Sequence, residues 1–255
     1  MSHPFLVIFT ARSGSTALFG NLKSHPDFKM RAEVFGNAVL PGDIEQTDDN
    51  RLEFLRKFWQ AYKDGAQPEN EIFRGFKMQV TRNGDQFSDL DRLVEFVKPY
   101  QPRIITLRRQ NILKQALSSI NARRLQIATA KMLDGRAAAH VTPDIAAVLK
   151  DLKAQKLVVN VKELGTMLAG IKKAYGILNA LSDKMGETHD ITYEDYNANR
   201  DSVVKSVFSY IGADPEKWAP ADAYLKITSD DLSEVVENYD ELQRFAHEAG
   251  YGSML

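Results

Sequence analysis

FLVIFTARSGSTAL, the run from Phe5 to Leu18, changes character twice. Phe5 to Phe9 is unbroken apolar sequence, short and β-branched enough to be a strand buried on both faces. At Thr10 it gives way to a small, polar, glycine-bearing turn, and the chain restarts as a helix. Ser13, Gly14, Ser15 and Thr16 fall where the first N–H groups of that helix have no intrahelical partner, beside the positive end of its dipole. The segment reads as an anion cradle, and Arg12 adds a fixed positive charge to it. Gly14 lets the backbone approach an oxyanion closely, while the hydroxyls of Ser13, Ser15 and Thr16 can cap the helix or bond the ligand. The triphosphate-binding pattern GxxxxGK is half present: Gly14 is there, but Ser15 stands at the lysine position and Phe9 at the first glycine, which weakens a magnesium-triphosphate reading. The plain alternative is a strand-to-helix turn with capping serines.

Working outward, Thr16 to Lys23 reads as a helix ended by Ser24-His25-Pro26-Asp27. Phe28 to Phe35 alternates in part and is a short strand or extended loop carrying Glu33, and Gly36 to Asn50 reads as loop, a surface for acceptor recognition. Arg51 to Tyr62 has helical spacing, Ile72 to Val80 is a second good strand, and Leu90 to Val97 is a helix leading to the strand Arg103 to Leu107. Strand, helix and strand with such short links imply a parallel unit. A further strand, His189 to Thr192, is followed by Tyr193-Glu194-Asp195-Tyr196 and a helix, Ser202 to Ile211, closed by Gly212. Between Ile120 and Met185 the chain is helical in character, with Pro143 to Leu152 and Leu164 to Leu181 the clearest segments and a break at Gly135 to Thr142. The expectation is a single α/β domain over 1–255: a three-layer, P-loop-like arrangement with a central parallel sheet flanked by helices.

Composition narrows the chemistry. The chain has 255 residues, 44% of them hydrophobic, and a formal net charge of -1, so nothing global favours nucleic acid or an acidic membrane surface. There are no cysteines, which removes disulfides and thiolate chemistry, and the five histidines have no ligand spacing, so no metal is expected. The N-terminal apolar run is too short for a signal peptide or a membrane span, and a cytoplasmic location is the default.

The local imbalance lies in Arg103 to Arg124, RIITLRRQNILKQALSSINARR, with six basic residues and no acidic one. Arg108 and Arg109 fall at the carboxyl end of a strand, where open parallel sheets bind ligands, and Ser118 lies about two turns into the next helix. Arginine suits phosphate because its planar fork gives bidentate hydrogen bonds. Lys114, Arg123 and Arg124 read as a solvated face. One anion loop plus one arginine-serine site suggest a ligand with two separated anionic groups.

The succession of ARSGSTAL, HPDF, GFKM, LRRQNILKQALSS and TYEDY resembles the sulfotransferases that use 3'-phosphoadenosine 5'-phosphosulfate, in particular their bacterial carbohydrate and glycolipid branch, from Phe5 to about Gly212. The resemblance implies that Arg12, Ser13, Gly14, Ser15 and Thr16 hold the 5'-phosphosulfate, that Arg109 and Ser118 hold the 3'-phosphate, with Arg108 a rival for Arg109, and that Tyr193 lies near the adenine. It also implies Glu33 as the base on the acceptor hydroxyl, with His25 a rival, and Arg12 as stabiliser of the departing phosphate. The donor would leave as adenosine 3',5'-bisphosphate, without a metal, and the acceptor would be a carbohydrate, glycolipid or other small alcohol. The long helical region offers a homodimer face. Two other readings stand beside this one: a P-loop-type kinase using magnesium ATP, and a non-catalytic nucleotide-binding protein in which Glu33 points away from the loop.

Overall fold

The computed structural model describes residues 3–33, 44–60, 72–81, 87, 89–132, 155–220 and 231–255. Most of the expected loop at Gly36 to Asn50, the break at Gly135 to Thr142 and the helix at Pro143 to Leu152 lie outside them. The chain divides into two compact units, residues 1–110 with 172–223, and residues 111–171 with 224–255.

The first unit is organised by β1 (His3–Thr10), whose residues alternate between two cores as the pleat requires. Phe5, Val7 and Phe9 face one core, together with Leu18 and Leu22 of α1 (Ser15–Lys23). Leu6 and Ile8 face the other. A strand with apolar residues at every position is what a sheet covered on both faces demands.

Beside β1 run β2 (Phe28–Glu33), β3 (Phe73–Val80), β4 (Arg103–Arg108) and β5 (Thr188–Thr192), all parallel, in the order β2-β3-β1-β4-β5. The helix pair on the first face is α1 with Arg200–Ile211. The second face is covered by α2 (Asp48–Gln60), α3 (Leu90–Val97) and the end of a long helix, Val161–Met185. This is a three-layer α/β arrangement. Since β1 has one later pair of strands on each side, the chain reverses its direction of travel across the sheet at β1, and the crevice at the carboxyl ends of β1 and β4 is where such sheets bind ligands.

Asp89 caps α3 by accepting from the Arg92 N–H at 3.0 Å, and Gly212, at φ 92°, closes Arg200–Ile211 as a left-handed cap. The TYEDY segment is itself helical: Tyr193–Ala198 begins where Thr192 Oγ1 accepts from the Asp195 N–H at 3.0 Å. In chain order the helices after α3 are therefore α4 (Ile112–Met132), α5 (Val161–Met185), α6 (Tyr193–Ala198), α7 (Arg200–Ile211), α8 (Leu232–Val235) and α9 (Tyr239–Glu248).

The second unit packs α4 and the first part of α5 around Leu113, Leu117, Leu164 and Leu168, with Leu242 and Ala246 of α9. Asn238, just before α9, spans both backbone groups of Val159: its Oδ1 accepts from the N–H at 2.9 Å and its Nδ2 donates to the carbonyl at 2.8 Å. Arg124, expected to be merely solvated, donates to the Gln155 and Lys156 carbonyls. No helix among the described residues is long and apolar enough to cross a membrane.

Candidate active site

The loop after β1 turns on two left-handed residues, Arg12 at φ 62° and Gly14 at φ 88°. Residues of opposite hand in succession aim consecutive N–H groups to one side. The first helical bonds run from Ala17 and Leu18 back to the Gly14 carbonyl, so the N–H groups of Ser15 and Thr16 come before the helical ladder begins. No acidic residue lies in the first turn of α1. The Ser13 hydroxyl points inward instead, donating to the Thr10 carbonyl at 2.7 Å, and the residue is fully buried. What Ser13 offers a ligand is backbone rather than hydroxyl.

Gly14 is fixed by more than its backbone angle. A Cβ there would stand 2.8 Å from Cδ2 and 3.3 Å from Cε2 of Tyr193. The Cδ2–Cε2 edge of the Tyr193 ring thus abuts the loop at its glycine, and the guanidinium of Arg109 lies over that ring, 4.3 Å from its centroid. Arg109 also donates through Nη1 to the Arg12 carbonyl at 3.3 Å. Gly14→Ala is expected to cost about 1–2 kcal/mol in left-handed strain, before any clash with Tyr193. Both a lower melting temperature and weaker binding of adenosine 3',5'-bisphosphate should follow; a loss no larger than the strain alone would mean that the ring yields freely, and unchanged values would refute the strain.

Two cations are thereby held together at the loop. Burial lowers the pKa of Arg12 below the usual arginine value, the neighbouring charge of Arg109 lowers it further, and Tyr193 opposes them. Holding like charges side by side beside a helix N-terminus is unfavourable until an anion arrives, and the attraction of both to a bound dianion outweighs their repulsion.

The backbone under Arg109 is clamped. The Tyr175 hydroxyl accepts from the Arg109 N–H at 2.7 Å and donates to its carbonyl at 3.0 Å, while Glu194 accepts from the Gln110 N–H at 3.0 Å. Arg108 faces elsewhere, donating to Asn179 and standing 4.0 Å from Asp190. Of the two arginines the sequence left open, Arg109 is the one at the loop. Ser118 is buried on α4, in the second unit.

Glu33 ends β2, and its Oε1 lies 3.1 Å from the Lys77 ammonium. That ammonium rests 5.2 Å from the ring centroid of Phe9, on the strand entering the loop, and 5.3 Å from that of Phe19, on the helix leaving it. Glu33 is therefore tied to the loop through Lys77. His25 is a core residue: it is buried between Phe28 and Phe208, its Nε2 meets the Asp214 carbonyl at 2.9 Å, and its Nδ1 accepts from the Asp27 N–H. Both ring nitrogens have structural partners.

Lys77 and Tyr175 escaped the sequence reading. Lys77 had a signal, a lysine amid apolar residues in a strand with two covered faces, whereas Tyr175 had none, since it meets Arg109 only through the fold.

A sequence model described as Stf0 sulphotransferase matches residues 4–241. A search among curated proteins gives no significant match. Among solved structures, a sulfotransferase from Alicyclobacillus acidocaldarius is similar at 13% identity over 99% of this chain and 95% of its own, with a TM-score of 0.47. A mouse sulfotransferase complexed with PAP is similar at 14% identity over 99% of this chain and 88% of its own, with a TM-score of 0.43.

Proposed function

The chain belongs to the Stf0 sulphotransferase family, and from that premise we propose that it transfers a sulfuryl group from 3'-phosphoadenosine 5'-phosphosulfate to the hydroxyl of a carbohydrate or glycolipid, in line and without a metal. The family match runs through both compact units, which supports treating 1–255 as one sulfotransferase-like domain, acting in the cytoplasm. The observation that carries the donor assignment is the pairing of Arg12 with Arg109 at a glycine loop whose helix has no acid in its first turn.

In this reading the N–H groups of Ser15 and Thr16, with Arg12, hold the 5' side of the donor, and Arg109 holds the 3'-phosphate. Tyr193 borders the base. The donor supplies an activated sulfur whose bond to the bridging phosphate oxygen breaks as the bond to the acceptor oxygen forms. Arg12 and the loop N–H groups stabilise the negative charge that grows on the departing oxygen. Glu33 removes the proton from the acceptor hydroxyl and keeps it when the product leaves.

Calorimetric titration separates this reading from a kinase. Adenosine 3',5'-bisphosphate without magnesium is expected to bind at least tenfold more tightly than ATP with magnesium. The reverse preference would overturn the donor assignment.

A further inference from the structure

We infer that Lys77, together with a bulge in β2, is the positioning device for Glu33, setting the direction of its carboxylate while taking no part in holding the donor. The inference rests on the reading of Glu33 as base.

The register makes the argument. Phe28 pairs with Phe73, Lys29 with Arg74, Met30 with Gly75 and Arg31 with Phe76, one for one. Continued, that count would set Glu33 opposite Met78. Instead the register shifts between Arg31 and Glu33, and Glu33 stands opposite Lys77. Because strand side chains alternate with period two, a one-residue slip carries a side chain to the opposite face. Met78 belongs to the core under α2 and α3. Lys77 reaches across the other face, toward Phe9 and Phe19. Without the slip Glu33 would lie on the wrong side of the sheet from α1 and the anion loop.

Burial then explains the lysine. Its side chain is 8% exposed and that of Glu33 33%. An ammonium that deep persists only with a charge partner and favourable surroundings, here one carboxylate and two aromatic faces. The stem is clamped within the sheet and the head within the ring pair, so the nitrogen that Glu33 meets is a fixed point. A carboxylate anchored through Oε1 to a fixed point has fewer orientations to search when an acceptor hydroxyl arrives.

The test compares Lys77→Met, Glu33→Gln and the double variant by melting temperature, by calorimetric affinity for adenosine 3',5'-bisphosphate, and by donor consumption with a panel of free mono- and disaccharides. Lys77→Met is expected to lower kcat about 10- to 100-fold while changing bisphosphate affinity and acceptor KM less than about threefold. The double variant should turn over no more slowly than Glu33→Gln alone, and its loss in melting temperature should be smaller than the sum of the single losses. Additive losses in both, or a fall in bisphosphate affinity that matches the fall in kcat, would overturn the inference. Should Lys77→Met fail to fold, Lys77→Arg carries the test: a displaced nitrogen should reduce kcat with affinity unchanged, and wild-type kcat would sink the idea. Wild-type turnover in Glu33→Gln would instead remove the base assignment itself, a separate outcome.

Discussion

Glu33→Ala lowers turnover by about two to four orders of magnitude, the range general-base removal commonly costs, and leaves affinity for adenosine 3',5'-bisphosphate within about twofold. The split follows from where the residue sits. Glu33 ends β2, two strands from β1, and meets the Lys77 ammonium that lies against Phe9 and Phe19 at the two ends of the loop. Its loss removes the proton acceptor while the Arg109 contacts to Tyr193 and the Arg12 carbonyl, and the helix N-terminus, stay in place. The variant also leaves the Lys77 ammonium without its carboxylate, so some loss of melting temperature accompanies the kinetic effect. Steady-state donor consumption beside calorimetry reads both quantities. Turnover that survives the change would return the chemistry to a base yet to be named, and a parallel loss of bisphosphate affinity would mean that Glu33 shapes the donor site instead.

Arg109→Ala is expected to weaken bisphosphate binding about 10- to 100-fold, equivalent to the roughly 1.5–3 kcal/mol of a hydrogen bond to a charged group. The same change removes the cation from the face of Tyr193 and the like charge beside Arg12. Relief of that repulsion steadies the free protein and does not restore affinity, so the loss stays at the lower part of the range only if Arg12 takes over part of the anion. Arg108→Ala is the matched control. Its partners are Asn179 and Asp190, and its removal should alter bisphosphate affinity less than about twofold. If the control loses more than Arg109→Ala, the 3'-phosphate belongs to Arg108.

β1 and β4 were legible because their middles are apolar on both faces, as Phe5 to Phe9 is before Thr10, whereas β2, with Lys29, Arg31 and Glu33 along it, could be read only as strand or loop. Leu90 to Val97 was legible to the residue, since Asp89 supplies the cap and Pro99 the stop. The long helix was underestimated at both ends: Leu164 to Leu181 was read where Val161–Met185 stands, because Asn160 and the polar Ser182-Asp183-Lys184 blur the periodicity. Of the points where the chain passes between the two compact units, the one after Ile171 left no trace, as it falls inside the continuous helix α5 rather than at a linker. At the site, the loop and the strand-end arginines carried their own chemical signal. The bulge at Glu33 did not, because register is a relation between two strands and is written in neither alone.

The order of the sheet also bears on how the chain is made. β1 leaves the ribosome before its hydrogen-bonding partners, β3 and β4, with His3 opposite Phe73 and Phe5 opposite Arg103. At translation speeds of roughly 5–20 residues per second, this apolar segment waits on the order of ten seconds with both edges open. Yield during overexpression should therefore depend on how fast the stretch from β1 to β4 is allowed to emerge.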